Sequence, residues 1–231
     1  MPHLASFRDF LKTGKLGPLT SMLDLRGTSD LLGPPGDWAY TSKEDVFPLY
    51  WMYEDGLGCR LEISFEPNPP HAIQWFQIDD AEGLRQDVHV FGDRLALAMD
   101  GLHGRSRPSE LLSSRVWEIE TAVLRFDPKD LMLVVSAGSV QIIFEADGDD
   151  EYVPDGERRA MLADAFGANR CFAEIERHYR MTGIYGFPRR EAALWPELPG
   201  FLTCSGDRYV ASLEGEAPSP GFRSAPNPSS A

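Results

Sequence analysis

The sequence predicts an α+β fold in which tandem helix-plus-antiparallel-hairpin units form one sheet with helices on one face, followed by C-terminal helices. Apolar and polar residues alternate in several short runs, which is the period of strands buried on one face. Other segments repeat their apolar residues at the spacing of an amphipathic helix. Glycine and proline separate the two kinds of segment.

Two helical segments are expected before the first strands. Residues 4–12 have apolar residues at helical spacing, and this helix should end near Gly14 or Gly17, since a proline follows. A second short helix or turn covers about 20–32. It must stop at the two adjacent prolines of residues 34–35, because proline cannot continue a helix.

The next runs are typical of strands. Leu61, Ile63 and Phe65 alternate with polar residues, which predicts a strand with one buried face. An aromatic run at 48–53 precedes it, and a further apolar run at 72–78 follows it. A three-stranded antiparallel meander is the simplest arrangement of these three runs.

A looser copy of this order follows. A weaker β-like stretch at 87–99 turns at Gly92-Asp93, and Ser109 is expected to cap a helix. Three strands come next, at 123–126, 131–136 and 140–145, the last two joined by a tight hairpin at Gly138. Because 61–66 and 140–145 have similar sequences, we interpret the order as an internal duplication.

Residues after 146 have a different composition. Apolar residues recur at helical spacing through residues 161–179, and a last small hairpin is expected in 201–213. Proline, serine, glycine and alanine dominate from residue 215, which indicates a disordered tail. The predicted organisation is a duplicated sheet domain (1–146), a helical segment packed on it (147–214) and the tail (215–231).

Composition limits the possible partners and location. The chain has 231 residues and a net charge of −14, so its field would repel phosphate backbones and anionic lipid headgroups, and we expect neither nucleic acid nor membrane as a partner. Its longest apolar runs are far shorter than the roughly 20 residues of a membrane span. The N-terminus lacks the layout of a secretory signal, and three widely spaced cysteines suit a reducing compartment. A cytoplasmic protein is expected.

The sequence contains no motif of nucleophilic, phosphate-binding or zinc chemistry. The G-x-S-x-G turn, glycine-rich phosphate loops and C-x-x-C pairs are all missing. Cys171 and His178 are seven residues apart, about 10 Å along one helix, which is too far for a thiolate pair. We therefore predict no catalytic residue, no cofactor and no metal site. The alternative is a hydrolase with an unrecognised site built from loop residues, with candidates Asp87, His89, Asp93 and His103.

A run of acidic residues is the first candidate for a partner-binding surface. Six acids and no base precede Arg158 in this run, so it must be exposed, either as a solvated loop or as a docking patch. Large aromatic residues supply affinity in many protein interfaces, although core packing is the usual role of tryptophan. The predicted partner-binding residues are Asp147, Asp149, Asp150, Glu151, Asp155, Trp38 and Trp51.

Several motifs resemble those of small uncharacterised bacterial proteins. The segment 25–38 contains Leu32-Gly33-Pro34-Pro35-Gly36-Asp37, and the aromatic run Tyr50-Trp51-Met52-Tyr53 and the strands at 61–65 and 140–144 follow the same pattern. More distantly, this order is similar to that of the β-lactamase inhibitor protein and of the small outer-membrane lipoproteins of barrel assembly. The resemblance implies an α+β fold and assigns no catalytic residue.

Proteins with this pattern are often encoded near secreted toxins, so the resemblance implies an immunity role. The leading hypothesis is a non-enzymatic protein-binding module whose acidic surface covers the basic groove of a bacterial toxin, such as a nuclease. A structural subunit of a larger assembly is a further alternative.

Overall fold

A computed structural model describes residues 2–127, 129–146, 172–187 and 201–214 of the chain. The strands, in chain order, are β1 (His3–Ser6), β2 (Asp37–Ala39), β3 (Tyr50–Glu54), β4 (Arg60–Phe65), β5 (Ile73–Asp79), β6 (Val88–Phe91), β7 (Leu95–Ala98), β8 (Val123–Asp127), β9 (Met132–Ala137), β10 (Val140–Ala146), β11 (Tyr179–Gly186) and β12 (Leu202–Ser205). The α-helices are α1 (Phe7–Thr13), α2 (Leu25–Leu32), α3 (Pro108–Leu112), α4 (Phe172–His178) and α5 (Gly206–Leu213). The predicted α+β class is confirmed.

Nine of the described strands form one sheet, in the order β12-β8-β9-β10-β11-β5-β4-β3-β2, and every pairing in it is antiparallel. Both expected meanders are present, as β3-β4-β5 and as β8-β9-β10. They do not pair with each other, because β11 lies between β5 and β10. This central strand comes from the segment that the sequence analysis interpreted as helical. The internal duplication stays a prediction.

The alternation in the sequence gives the sheet one apolar face. Residues paired in register across seven strands share this face and are buried: Tyr53, Leu61, Ile78, Ile184, Ile142, Val135 and Leu124. Removing each of the large apolar side chains from water contributes roughly 1.5–3 kcal/mol. This burial is the main force that holds the sheet to the elements packed on it.

Helix α1 packs directly on this apolar face. The ring centroids of Phe10 and Phe76 are 5.6 Å apart. Gly186 is required at this contact, since a Cβ atom there would lie 2.5 Å from the Phe76 ring and 2.6 Å from the Phe10 ring. Trp117 also donates its indole N–H to the carbonyl of Leu11, over 2.9 Å.

The N-terminal prediction was partly wrong. Residues 3–6 are a strand, β1, which pairs in parallel with β7 in a separate three-stranded sheet of order β1-β7-β6. The helix begins only at Phe7, because the Ser6 hydroxyl accepts a hydrogen bond from the Asp9 N–H and caps it. It ends at Gly14, as expected, with φ of 68°.

Two further boundaries differ from the prediction. Helix α3 begins at Pro108 with Arg107 as its N-cap, so Ser109 lies inside the helix and instead donates its N–H and hydroxyl to Glu176. The expected hairpin at 201–213 is wrong, because the strand β12 is followed directly by the helix α5. The predicted β6-β7 hairpin is confirmed, with its turn at Gly92-Asp93.

Within the described residues, no helix has both the length and the apolar character needed to span a bilayer. Five of the predicted partner-binding residues lie outside the described residues, namely Asp147, Asp149, Asp150, Glu151 and Asp155. The predicted tail from 215 onward lies outside them as well.

Candidate functional site

A buried pair of titratable side chains links the β3-β4 turn to β6. Strand β6 exposes Val88 and Val90 and turns His89 inward, which reverses the usual preference for apolar residues inside. The Nδ1 atom of His89 lies 2.7 Å from Oδ2 of Asp55, and both side chains are fully buried. Asp55 follows directly after β3, so two parts of the chain that are distant in sequence meet here.

The surrounding hydrogen bonds determine which nitrogen of His89 carries the proton. The backbone N–H of Gln86 donates to Nε2 over 3.2 Å, so Nε2 must hold a lone pair. Nδ1 then carries the hydrogen and donates it to Asp55. The other carboxylate oxygen, Oδ1, accepts the N–H groups of Leu57 and Cys59 over 2.7 and 3.0 Å. Every polar atom of the pair is thus occupied, which is the arrangement of a structural clamp.

Cys59 completes a three-residue cluster with Asp55 and His89, whose ligand atoms all lie within 4.8 Å of one another. Burial, with the nearby Asp55 carboxylate as a further cause, raises the pKa of the Cys59 thiol to about 12. The thiol is therefore protonated at neutral pH, and its Sγ donates to the carbonyl of Asp80 over 3.3 Å. A nucleophilic thiolate is not favoured at this position.

The donor set also fits a metal ion poorly. A metal bound to Nδ1 of His89 would require the proton to move to Nε2, and metal-binding histidines normally donate that second N–H to an acceptor. Here a donor, the N–H of Gln86, faces Nε2 instead. The hydrogen bonds of the cluster are those of a protonated Nδ1 on His89 and a protonated Cys59 thiol, an arrangement that does not favour a bound metal ion.

The structure does not unite the candidate residues of the hydrolase alternative. His89 is buried, whereas Asp87, Asp93 and His103 are exposed. Among the described contacts, no hydrogen bond or ion pair joins any two of these four. The carboxylate that does contact His89 is that of Asp55, which is not one of the four candidates.

We call the second side of the nine-stranded sheet the polar face, and define it by Arg60, Glu62, Gln77, Asp79 and Tyr185, which are adjacent in the strand register. Arg60 forms ion pairs of 2.6 Å with both Glu62 and Asp79. Gln77 donates to Asp79 over 3.0 Å, although Gln77 and Glu62 are almost fully buried. These bonds compensate for the burial of charged groups on this face.

Aromatic rings continue the polar face across three strands. The Tyr50 hydroxyl donates to Glu62, and burial together with this bond raises the pKa of Tyr50. The Tyr50 ring lies 5.6 Å from Trp75, and Trp75 lies 5.8 Å from Tyr185. Aromatic pairs at these separations stabilise neighbouring strands. The described groups of this face therefore form one network of hydrogen bonds, ion pairs and ring contacts.

Among the described residues, the most exposed aromatic side chains lie at one end of the nine-stranded sheet. Strand β2 is one of the two edge strands of the described nine-stranded sheet and is exposed along its whole length. The side chain of Trp38 is 54% exposed, and Tyr40, which directly follows the strand, is 57% exposed. We call these two residues the edge patch. Val46 and Phe47 in the following loop are also exposed, at 83% and 41%.

Of the two tryptophans chosen from the sequence, only Trp38 is strongly exposed. Trp51 is its partner in the register of β2 and β3, but it is only partly exposed. Its ring lies 4.9 Å from Phe65 at a steep angle, and its indole N–H donates to the carbonyl of Pro48 over 3.0 Å. The Trp51 side chain is therefore held by Phe65 and Pro48, and Trp38 is the more exposed member of this cross-strand pair.

A cavity of about 530 Å³ opens at the first residues of β2. Its polar lining comes from β2, from the neighbouring strands β3 and β4 and from the β6-β7 turn: Asp37, Glu54, Arg60, Asp93 and Arg94. Arg60 already binds Glu62 and Asp79, and Arg94 donates to the carbonyl of Asp30 over 3.4 Å. No described ion pair involves the carboxylates of Asp37, Glu54 or Asp93, so the cavity favours cations.

No protein-family model, curated protein or solved structure matches the chain. The resemblance to small bacterial proteins encoded near toxins therefore stays a prediction.

Proposed function

We propose that the chain is a non-enzymatic protein-binding module that contacts its partner through the edge patch. The observation that carries this proposal is the exposure of Trp38 and Tyr40 at an edge strand whose outer side has no strand partner among the described residues. Tryptophan and tyrosine are the residue types that most often dominate binding energy in interfaces. An open strand edge adds backbone donors and acceptors to the same surface.

The arrangement of the other titratable groups is consistent with a binding role. The Asp55–His89 pair is closed by the N–H of Gln86, and the Cys59 thiol is held in its protonated form. A hydrolase needs a base with a free lone pair next to a nucleophile. We therefore rank the hydrolase alternative below the binding module.

The finer proposal is an immunity protein that neutralises a bacterial toxin in the cytoplasm. Its support is the motif resemblance together with a net charge of −14, which attracts a basic domain and accelerates association. In this proposal the edge patch supplies affinity. The acidic residues from Asp147 to Asp155 then supply electrostatic attraction.

The test is co-expression of the chain with the product of each neighbouring gene, with cell growth as the readout. If one product is toxic and the chain restores growth, the double variant W38A/Y40A should lose the protection. The control is M22A, because Met22 is 85% exposed in the loop before α2, away from the edge strand. Full protection by a folded W38A/Y40A protein would exclude the edge patch as the interface.

The acidic run is tested separately in the same assay. The variant D149K/D150K should weaken protection, and the difference in affinity between the variant and the unchanged chain should be smaller at high ionic strength in vitro, where the electrostatic attraction is screened. Unchanged protection would remove the acidic run from the interface and leave the edge patch in place.

A further inference from the structure

We infer that the partner presents an extended amphipathic segment to β2, with apolar side chains on the edge patch and a lysine or arginine in the cavity beside Asp37. This inference rests on the proposed function and specifies the chemistry of the partner. Three features of the described residues support it: the free edge of β2, the opposite orientation of its side chains, and the charge of the cavity.

The edge of β2 can accept another strand. Within the described sheet, β2 pairs only with β3. The Trp38 N–H donates to Oδ1 of Asp37 over 2.8 Å, a local bond on the strand itself. A carbonyl of an added strand can replace such a bond, and main-chain pairing of this kind is a recurrent mode of peptide recognition.

Side chains of β2 alternate between the two faces of the sheet. Trp38 is registered with Trp51 on the side of the apolar face, whereas Asp37 is registered with Met52 on the side of the polar face. Successive residues of a strand added to β2 must alternate in the same way. One set of its side chains would contact Trp38 and Tyr40, and the other set would reach the cavity.

The cavity selects a cation for that second set. It is lined by three carboxylates, those of Asp37, Glu54 and Asp93, which have no ion pair with any described residue. Of its two guanidinium groups, that of Arg60 is matched by Glu62 and Asp79 outside the lining, and that of Arg94 is exposed and bonded to a carbonyl. The volume of about 530 Å³ exceeds that of one lysine or arginine head group.

The test uses the full chain and an eight-residue peptide that alternates valine and arginine. Titration followed by NMR should shift the backbone signals of residues 36–40 and the Trp38 indole signal. A valine–glutamate peptide should not bind. A valine–arginine peptide with alternate N-methylated amides should also fail, because it cannot form the ladder. Equal binding by either control peptide, or shifts elsewhere on the surface, would overturn the inference.

Variants of the cavity separate this inference from general attraction to an acidic protein. The double variant E54Q/D93N should bind the valine–arginine peptide with an affinity about threefold to tenfold lower than that of the unchanged chain. Asparagine suits position 93, because it tolerates the φ of 61° found there. The matched control E118Q/E120Q removes two exposed charges beside β8 and should change nothing.

The two proposals fail in different ways. In the first case, W38A/Y40A loses protection while E54Q/D93N binds the valine–arginine peptide as tightly as the unchanged chain does. That result would support the binding module and contradict the inference that the partner presents a basic segment. If W38A/Y40A keeps full protection, both proposals are wrong.

Discussion

His89 donates its Nδ1 proton to Oδ2 of Asp55 across 2.7 Å, and neither side chain reaches the solvent. The pair fixes the turn between β3 and β4 to the small three-stranded sheet. Among the described contacts between a basic and an acidic side chain, it alone joins two side chains that are both fully buried.

Replacing His89 should destabilise the fold strongly. The variant H89A removes the hydrogen-bond donor to Oδ2 of the buried Asp55 carboxylate, so we expect a loss of about 2–3 kcal/mol in the free energy of unfolding. Urea denaturation measures it. The control H103A removes an exposed histidine and should stay within about 0.5 kcal/mol of the unchanged protein. A loss below about 1 kcal/mol in H89A would show that the pair is not a clamp.

The thiols of Cys59 and Cys204 should react slowly in the native protein. Burial raises the pKa of each to about 12, so the reactive thiolate is rare at pH 8. We expect iodoacetamide to label both at least about 100-fold more slowly than in denaturant. Site-resolved mass spectrometry distinguishes them from Cys171. Rapid native labelling of Cys59 would instead indicate an activated thiol and revive the enzyme alternative.

Stability should fall in alkaline solution. The folded protein favours the protonated forms of Cys59 and Cys204, whose pKa rises from 9.0 to about 12, and the pKa of Tyr53 is also raised by burial. This contribution is complete below pH 9 and is lost as the pH rises from 9 towards 12. Urea midpoints at pH 7, 9 and 10.5 should decrease in that order. The variant C59A/C204A should show a smaller decrease between pH 9 and 10.5, and an equal decrease would contradict the assignment.

Arg60 and Glu62 should be energetically coupled. Their ion pair of 2.6 Å joins a partly exposed guanidinium to a nearly buried carboxylate. A double-mutant cycle with R60Q and E62Q should give a coupling of about 1 kcal/mol, a value reduced by the exposure of Arg60. The exposed pair of Arg26 and Asp30, 3.9 Å apart, is the matched control and should give a coupling near zero. Equal couplings for the two pairs would show that burial does not strengthen the first.

The strands that could be predicted from the sequence are those whose buried face contacts the same core from one end to the other. In β4 and β10, apolar residues alternate or run together because their faces meet the same core throughout. Strand β11 was not predicted for two reasons. Gly183 and Gly186 interrupt the alternation of apolar residues in β11, and the helical spacing of apolar residues in α4 continues to Tyr179, the first residue of β11. Its position in the sheet depends on pairing with residues more than 100 positions earlier, for which a single sequence gives no signal.

The buried cluster was only partly visible in the sequence. His89 alternates with two valines and shares a face with Phe91, which indicates a buried histidine if the strand face is assigned correctly. Its partner Asp55 lies in a turn, where aspartate is common for local reasons. Trp38 was selected as a binding residue and is exposed, but the sequence could not show that its neighbour Trp51 is packed on Phe65.

Because β11 lies at the centre of the sheet but late in the chain, the sheet can be completed only late in translation. The ribosome must translate beyond Gly186 before the two meanders can be joined, so nascent chains carry both meanders while the backbone groups of β5 and β10 still lack their shared neighbour. Unpaired strand edges of this kind readily associate with other chains. A truncated product that ends before Tyr179 should therefore accumulate as insoluble material, even though most of its strands are encoded.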